Sequence, residues 1–193
     1  MDLGRNCLQL KLVGNLFHGH CLVLHLVLPN VPDDANLVCH CFDTAVEECT
    51  KARIAKDQPD FLPANHRSQL DGVSTNWGKI VFAHHEFLQR KRVLGEMVNI
   101  NRNKVGSTHE DIDALFGIAK EHLKNVDCVT PDELKAHILK AFEHYKYPVV
   151  ILEVEATLDY RAFYEPHIDP KLGGFGCALL LLVFPHARDA CTY

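Results

Sequence analysis

The sequence predicts an α+β fold in which a mixed or antiparallel sheet of five to six strands carries three to four helices, packed mainly on one face. Residues 20–28 and 149–154 are rich in Leu, Val and Ile and have the length of strands. Two later segments begin with helix caps and continue with apolar residues at helical spacing. The chain has 193 residues, 47% of them hydrophobic, so we expect a single globular domain over residues 1–193.

The first part of the chain is expected to form a β-hairpin followed by a helix. Residues 7–13 alternate weakly between apolar and polar positions, which favours an edge strand before the strand at residues 20–28. Pro and Asp residues at positions 29–34 predict a turn, and residues 37–42 predict the returning strand. Asp43 or Thr44 can then cap a helix that runs to about residue 56.

The rest of the chain alternates loops, helices and strands. Residues 57–76 contain two prolines and a glycine and predict a long loop, and residues 78–85 predict a strand. Capping boxes at residues 107–110 and 130–133 predict the starts of two amphipathic helices. Residues 177–184 are apolar on both faces, which is typical of a buried strand.

Composition and charge exclude several classes of protein. The formal net charge is -5, and the basic run at residues 89–92 is only a local patch, which argues against a nucleic-acid partner. No apolar run reaches the roughly 18 residues that a membrane-spanning helix needs, so we expect no membrane partner. Eight cysteines lie mostly in apolar runs with no secretory signal before them. They predict reduced, buried thiols and a cytoplasmic, reducing location.

The pair His18 and His20 is the strongest candidate for a metal site. In an extended backbone, residues two positions apart point the same way, so both imidazoles could reach one ion. The glycine between them lets the backbone approach closely. Zinc needs three or four ligands, and His66 or His84 would supply the next ligand or a general base.

Two other groupings of ligand-type residues compete with this pair. Cys39 and Cys41 lie four to six residues along the predicted hairpin from His20, and at about 3.3 Å per residue that separation is too great for one ion. His167 and Asp169 have the His-X-Asp spacing of non-haem iron oxygenases, with His186 or an upstream histidine as the second imidazole.

Four fragments, taken in chain order, resemble the 6-pyruvoyl-tetrahydropterin and 6-carboxytetrahydropterin synthases. The fragments are His18-Gly19-His20 opening a strand, Asn65-His66-Arg67-Ser68-Gln69-Leu70, Thr130-Pro131-Asp132-Glu133-Leu134, and a strand glutamate at Glu153 or Glu155. Asn65 stands where that family has an aspartate.

The resemblance implies a zinc-dependent enzyme of the T-fold class that assembles into rings and acts on a pterin precursor. It implies that His18 and His20 hold zinc. Apart from the resemblance, His84 is the candidate for the third ligand. The catalytic candidates are His66 for proton transfer, Glu133 in the third fragment and Glu155 as the anchor for the pterin ring.

The sequence leaves three functional hypotheses open, and they do not agree on whether the protein is an enzyme. The first is a metal-dependent, zinc-containing enzyme that acts on a small, pterin-like heterocycle and forms a homo-oligomer. The second is a non-catalytic subunit or protein-interaction module of a larger assembly. The third is a non-haem iron site at His167 and Asp169. The partner is a small-molecule substrate in the first hypothesis and another protein in the second.

Overall fold

The structure is a computed structural model that describes residues 10–58, 65–70, 78–94, 97–102 and 111–168. These residues form five strands and five α-helices and have a mixed α/β fold. In chain order the elements are β1 (Lys11–Phe17), β2 (Cys21–Val27), α1 (Ala35–Ile54), β3 (Asn65–Leu70), α2 (Lys79–Arg90), β4 (Met97–Arg102), α3 (Asp111–Leu123), α4 (Pro131–Ala141), β5 (Val149–Val154) and α5 (Tyr160–Tyr164). A short 3-10 helix, Glu165–His167, follows α5.

The described residues fall into two compact units. Unit 1 contains residues 10–33, 40–58 and 111–157. Unit 2 contains residues 34–39, 65–70, 78–94, 97–102 and 158–168. No helix among these residues is both long and apolar enough to cross a membrane.

Unit 1 is built on a three-stranded sheet in the order β1-β2-β5. The central strand β2 pairs antiparallel with β1, where His25 faces Val13, and parallel with β5, where His25 faces Leu152. All seven residues of β2 are buried, which explains why its sequence is apolar on both faces. The strands predicted at residues 20–28 and 149–154 are therefore confirmed as β2 and β5.

Helices cover both faces of β2, whereas the sequence predicted helices mainly on one face. Leu22, Leu24 and Leu26 pack into a core with residues of α3 and α4. The residues between them point to the opposite face. There His25 contacts Thr44 of α1.

Helix α3 approaches β1 closely because Gly14 has no side chain. A Cβ atom at Gly14 would lie 2.8 Å from Cζ of Phe116 and 2.9 Å from Cδ1 of Ile112. Glycine at this position therefore lets α3 pack directly on the strand.

Unit 2 contains a two-stranded parallel sheet of β3 and β4, connected through α2. Its buried core joins α2 and α5 to the first residues of α1. The core residues are Ala35, Cys39, Ile80, Val81, Ala83, Tyr160 and Tyr164. The described strands thus form separate sheets of three and two strands, and a single sheet of five to six strands is not confirmed.

Two predicted strands are helices. Residues 37–42 belong to α1, and the carboxylate of Asp34 accepts hydrogen bonds from the N–H groups of Asn36 and Leu37 at its start. Residues 78–85 lie at the start of α2. Short apolar runs have the same appearance in a buried strand and in a buried helix, so periodicity alone could not separate them.

The remaining predicted elements have mixed outcomes. The capping box at Thr130 and Glu133 is confirmed at the start of α4. The long loop predicted at residues 57–76 is wrong in part, because it contains β3. The capping box at residues 107–110 and the strand at residues 177–184 lie outside the described residues.

Candidate functional site

His18 and His20 lie in the turn that connects β1 to β2. Gly19 has a φ of +84°, a left-handed conformation that favours glycine. The backbone N–H of His20 donates to the carbonyl of Phe17 at 2.9 Å. The prediction that His18 and His20 occupy extended backbone and point the same way is therefore wrong, because the chain reverses direction here.

The side chain of His18 is exposed and pairs with a carboxylate. Its Nδ1 atom lies 3.7 Å from Oδ2 of Asp111, the first residue of α3, and about three quarters of each side chain is open to solvent, at 72% and 77%. A histidine and an aspartate are both metal-ligand types, but an exposed pair of this kind contributes little to stability.

The side chain of His20 points instead toward two cations. Its Nε2 atom lies 3.2 Å from Nη1 of Arg53. Arginine only donates hydrogen bonds, so Nε2 accepts and the ring proton sits on Nδ1. Nδ1 is buried and has no hydrogen-bond partner among the described residues. Burial lowers the pKa of His20, and the charges of Arg53 and Lys56 lower it further.

This arrangement conflicts with His20 as a zinc ligand in the described conformation. The lone pair on Nε2 is engaged by Arg53, and Nδ1 carries the proton. A cation at this ring would also lie near two positive side chains.

His84, the proposed third zinc ligand, lies in the core of unit 2. It is 2% exposed, and its Nδ1 atom lies 2.9 Å from the hydroxyl of Tyr164. The ring of Tyr160 packs edge-on against it at 5.1 Å between centroids. Within the residues that the structure describes, no three His, Cys, Asp or Glu side chains form a group that could hold a metal ion.

The three predicted catalytic residues lie in separate elements. His66 on β3 is half-buried, its Nε2 lies 2.9 Å from the hydroxyl of Ser68, and burial lowers its pKa. Glu133 is part of the capping box of α4, where its carboxylate accepts from the N–H groups of Val129 and Thr130. Glu155 is exposed just after β5.

The structure also bears on the two other groups of ligand-type residues, Cys39 with Cys41 and His167 with Asp169. Cys39 and Cys41 lie on α1, not on a returning strand, and each is 1% exposed. Burial raises the pKa of the Cys41 thiol to about 12. His167 belongs to the 3-10 helix after α5, and Asp169 lies outside the described residues.

Unit 1 contains a pair of cysteines that sequence reasoning did not bring together. Cys21 opens β2 and Cys49 lies on α1, both side chains are fully buried, and interaction with Cys49 raises the pKa of Cys21. Hydrogen bonding by Cys21 lowers the pKa of Cys49, against the effect of burial, and nearby Arg53 and Lys56 lower it further. Cys21 and Cys49 do not form a Cys-X-X-Cys motif, so their proximity depends on the packing of α1 against β2.

The second feature that the sequence did not predict is an open groove between β1 and α3. Its volume is about 550 Å³, and it is lined by Leu12, Phe116, Ala119, Lys120, Leu123 and Lys124. Residues 116, 119, 120 and 123 recur at helical spacing and therefore share one face of α3, and Lys124 directly follows the helix. The sequence indicates that stripe, but only the tertiary structure shows that part of it stays uncovered.

The chain is thus a mixed α/β protein with a concave apolar surface between β1 and α3. Its family is shown by comparison with known proteins. A family model described as a domain of unknown function, DUF7869, matches residues 2–176. The chain belongs to this family. No curated protein and no solved structure matches it.

Proposed function

We propose that the chain is a protein-interaction module in which the groove between β1 and α3 binds an extended segment of a partner protein. The observation that carries this proposal is the groove itself. Its volume is about 550 Å³, it is open to solvent, and its lining is mainly apolar.

The adjacent strand supports an extended partner. Among the described strands, β1 pairs only with β2, so it forms an edge of the three-stranded sheet. An edge strand offers backbone N–H and C=O groups to an added strand, and pockets beside it select alternate side chains. Leu12 belongs both to β1 and to the groove lining, so one bound segment could use both features.

The charges at the groove define the chemistry of the partner. Lys120 and Lys124 are exposed members of the lining, and Lys124 also pairs with Glu121. The chain as a whole has a negative net charge, so two lysines beside an apolar surface form a locally basic region. The partner segment therefore carries apolar side chains at alternate positions, flanked by Asp or Glu.

The test is a selection of short random peptides displayed against the full chain, followed by affinity measurement on one enriched synthetic peptide. We expect enriched peptides to alternate apolar residues and to carry acidic flanks. Binding should shift the amide NMR signals of Leu12, Phe116 and Leu123. Replacing both lysines, Lys120→Glu with Lys124→Glu, should weaken binding roughly tenfold, because two favourable charge contacts become repulsive.

Lys140→Glu is the matched control. Lys140 is an exposed lysine of unit 1 that does not line the groove, so this substitution changes charge without touching the groove. It should leave affinity within about twofold. Peptides that bind with no acidic preference, or that shift signals away from α3, would contradict the proposal.

The zinc-dependent, pterin-type enzyme stays a prediction from the sequence. The short distance between His18 and Asp111, 3.7 Å, supplies two ligand-type groups at the start of α3. The test is elemental analysis of the purified protein beside His18→Ala/His20→Ala. Stoichiometric zinc that disappears in the double variant would support the enzyme, and zinc that stays unchanged would place the metal elsewhere.

A further inference from the structure

Helix α3 and strand β1 run in opposite directions along the groove. At the start of the helix, Oδ2 of Asp111 lies 3.7 Å from Nδ1 of His18, which directly follows the end of β1. At the other end, Leu12, the second residue of β1, shares the groove lining with Leu123 and Lys124. A segment that follows β1 through the groove therefore also follows one face of α3, from its last turn to its first.

That face of α3 carries opposite charges at its two ends. Successive residues of an α-helix are about 100° apart around the axis, so Asp113 lies within about 60° of Phe116. Asp113, Lys120 and Lys124 are exposed, and the N–H of Lys124 still donates to the carbonyl of Lys120 at 3.2 Å, so helical spacing continues to this residue. The stripe is thus acidic one turn before the apolar part of the lining and basic at its other end.

The other two acidic residues of α3 lie away from this stripe. Asp111 and Glu121 are each five positions from Phe116, which places them about 140° around the helix from it. The helix dipole favours an acid in the first turn and a base in the last, but it favours no particular face. The groove face therefore carries an acid only at Asp113 and bases only at the opposite end, and a bound segment would meet both charges.

The distance between the opposite charges sets a spacing in the bound segment. At a rise of about 1.5 Å per residue, Asp113 lies about 10 Å along the helix axis from Lys120 and about 16 Å from Lys124. An extended segment advances about 3.3 Å per residue. A segment that reaches from Asp113 to the two lysines therefore covers this distance in roughly three to five residues.

We infer that the partner segment carries a Lys or Arg beside Asp113 and, roughly three to five residues away, an Asp or Glu beside Lys120 and Lys124. This inference rests on the proposed function of the groove. Apolar residues lie between the two charges, where they fill the lining. Asp113 is then a specificity-determining residue outside the lining itself. The segment binds in one orientation, because the reversed orientation would place like charges together.

The experiment runs the selection of random peptides against the full chain and, in parallel, against Asp113→Lys. Peptides enriched on the unaltered chain should carry a basic and an acidic residue at this spacing, always in the same order, and those enriched on the variant should have an acid in place of the base. For one enriched synthetic peptide, Asp113→Lys should weaken binding roughly fivefold. Replacing the basic residue of the peptide with Glu should weaken binding to the unaltered chain equally and restore binding to the variant.

Asp132→Lys is the matched control, since Asp132 is an exposed acid in the first turn of α4, also in unit 1, and does not line the groove. It should leave affinity within about twofold. The Glu-substituted peptide needs no variant, so the result does not depend on the folding of Asp113→Lys. Peptides that shift the signals of Leu12 and Phe116 but show no basic preference would overturn this inference and leave the proposed function standing. Peptides that bind away from the groove would overturn both.

Discussion

The imidazole of His25 hydrogen-bonds with the hydroxyl of Thr44, with 2.8 Å between Nε2 and Oγ1. The same hydroxyl lies 3.0 Å from the backbone carbonyl of His40. His25 is 0% exposed, so this relationship lies in the interior between β2 and α1.

His25 makes stability fall as the pH is lowered. Burial, followed by the nearby charge of His40, lowers the pKa of His25 from 6.5 to about 4. Below pH 6.5 the imidazole of His25 is protonated in the unfolded chain, whereas in the folded chain it stays neutral down to about pH 4. The contribution to the free energy of unfolding is complete above about pH 6.5, and roughly 3 kcal/mol of it is lost by pH 4. Urea unfolding at several pH values across this range measures how the free energy of unfolding changes with pH.

The matched variant is His25→Gln, whose amide can still hydrogen-bond with Thr44 but does not titrate. It should be less stable at pH 7.5, with a shallower fall in stability toward pH 4. His20, His40 and His66 also have lowered pKa values and remain in both proteins, so only the difference between the curves belongs to His25. Parallel curves would contradict the assignment.

Gly14→Val should destabilise the protein because of crowding between β1 and α3. The new Cβ would meet Phe116 at 2.8 Å and Ile112 at 2.9 Å, and the branched side chain adds further atoms. Overpacking of this kind costs about 1–3 kcal/mol of unfolding free energy. Chemical denaturation measures the cost. Because Phe116 lines the groove, peptide binding should weaken as well.

Gly117→Ala is the control for that substitution, since it also replaces a glycine by a larger residue, but at a position with free space around it. Gly117 lies within α3, and a Cβ there would meet nothing within 4 Å. Alanine in a helix interior should stabilise the protein by about 0.5–1 kcal/mol relative to glycine. Loss of stability in Gly117→Ala would mean that α3 packs differently.

Tyr164→Phe should destabilise unit 2 by removing the hydroxyl that contacts His84. Both side chains are 2% exposed and the contact is 2.9 Å long, so a buried polar atom loses a hydrogen bond. The expected cost is about 1–3 kcal/mol. A double-mutant cycle with His84→Ala should give a coupling energy above about 0.5 kcal/mol, and additive effects would show that the contact contributes nothing.

Thr130→Ala should weaken the start of α4, because the Thr130 hydroxyl accepts from the backbone N–H of Glu133 at 3.2 Å. Loss of such a cap costs about 0.5–2 kcal/mol. Glu133→Gln should have a smaller effect, since its amide oxygen still accepts from the backbone. Thermal unfolding followed by far-UV circular dichroism separates the two. Equal losses would mean that the carboxylate charge of Glu133 stabilises this turn as much as the hydrogen bond of the Thr130 hydroxyl does.

The sequence predicted those elements whose signals are local. The capping box of α4 needs only Thr130, Pro131 and Glu133 in order, and β2 and β5 are short runs of branched residues. Only the second half of helix α1 was predicted, because the start of the helix, capped by Asp34, lies inside an apparent turn. Its first half is also apolar, with Leu37, Cys39 and Cys41 buried, so its pattern resembles a strand.

The geometry assumed for the site differs where it depended on backbone conformation. The argument that His18 and His20 reach one ion assumed an extended strand, and the positive φ of Gly19 places them in a turn. Arg53 is 33 residues away from His20 in sequence, and no spacing rule brings them together. The groove and the proximity of Cys21 to Cys49 depend in the same way on how α3 and α1 pack against strands.

The parallel pairing of β2 with β5 has a consequence during synthesis. Leu22 pairs with Val149, so β2 has only one of its two neighbours until almost all of unit 1 has been made. At usual rates of translation this takes roughly ten seconds, during which a strand that is apolar except for His25 presents an open edge on the ribosome. We expect the nascent chain to depend on a chaperone over this interval, and fragments that end before β5 to aggregate.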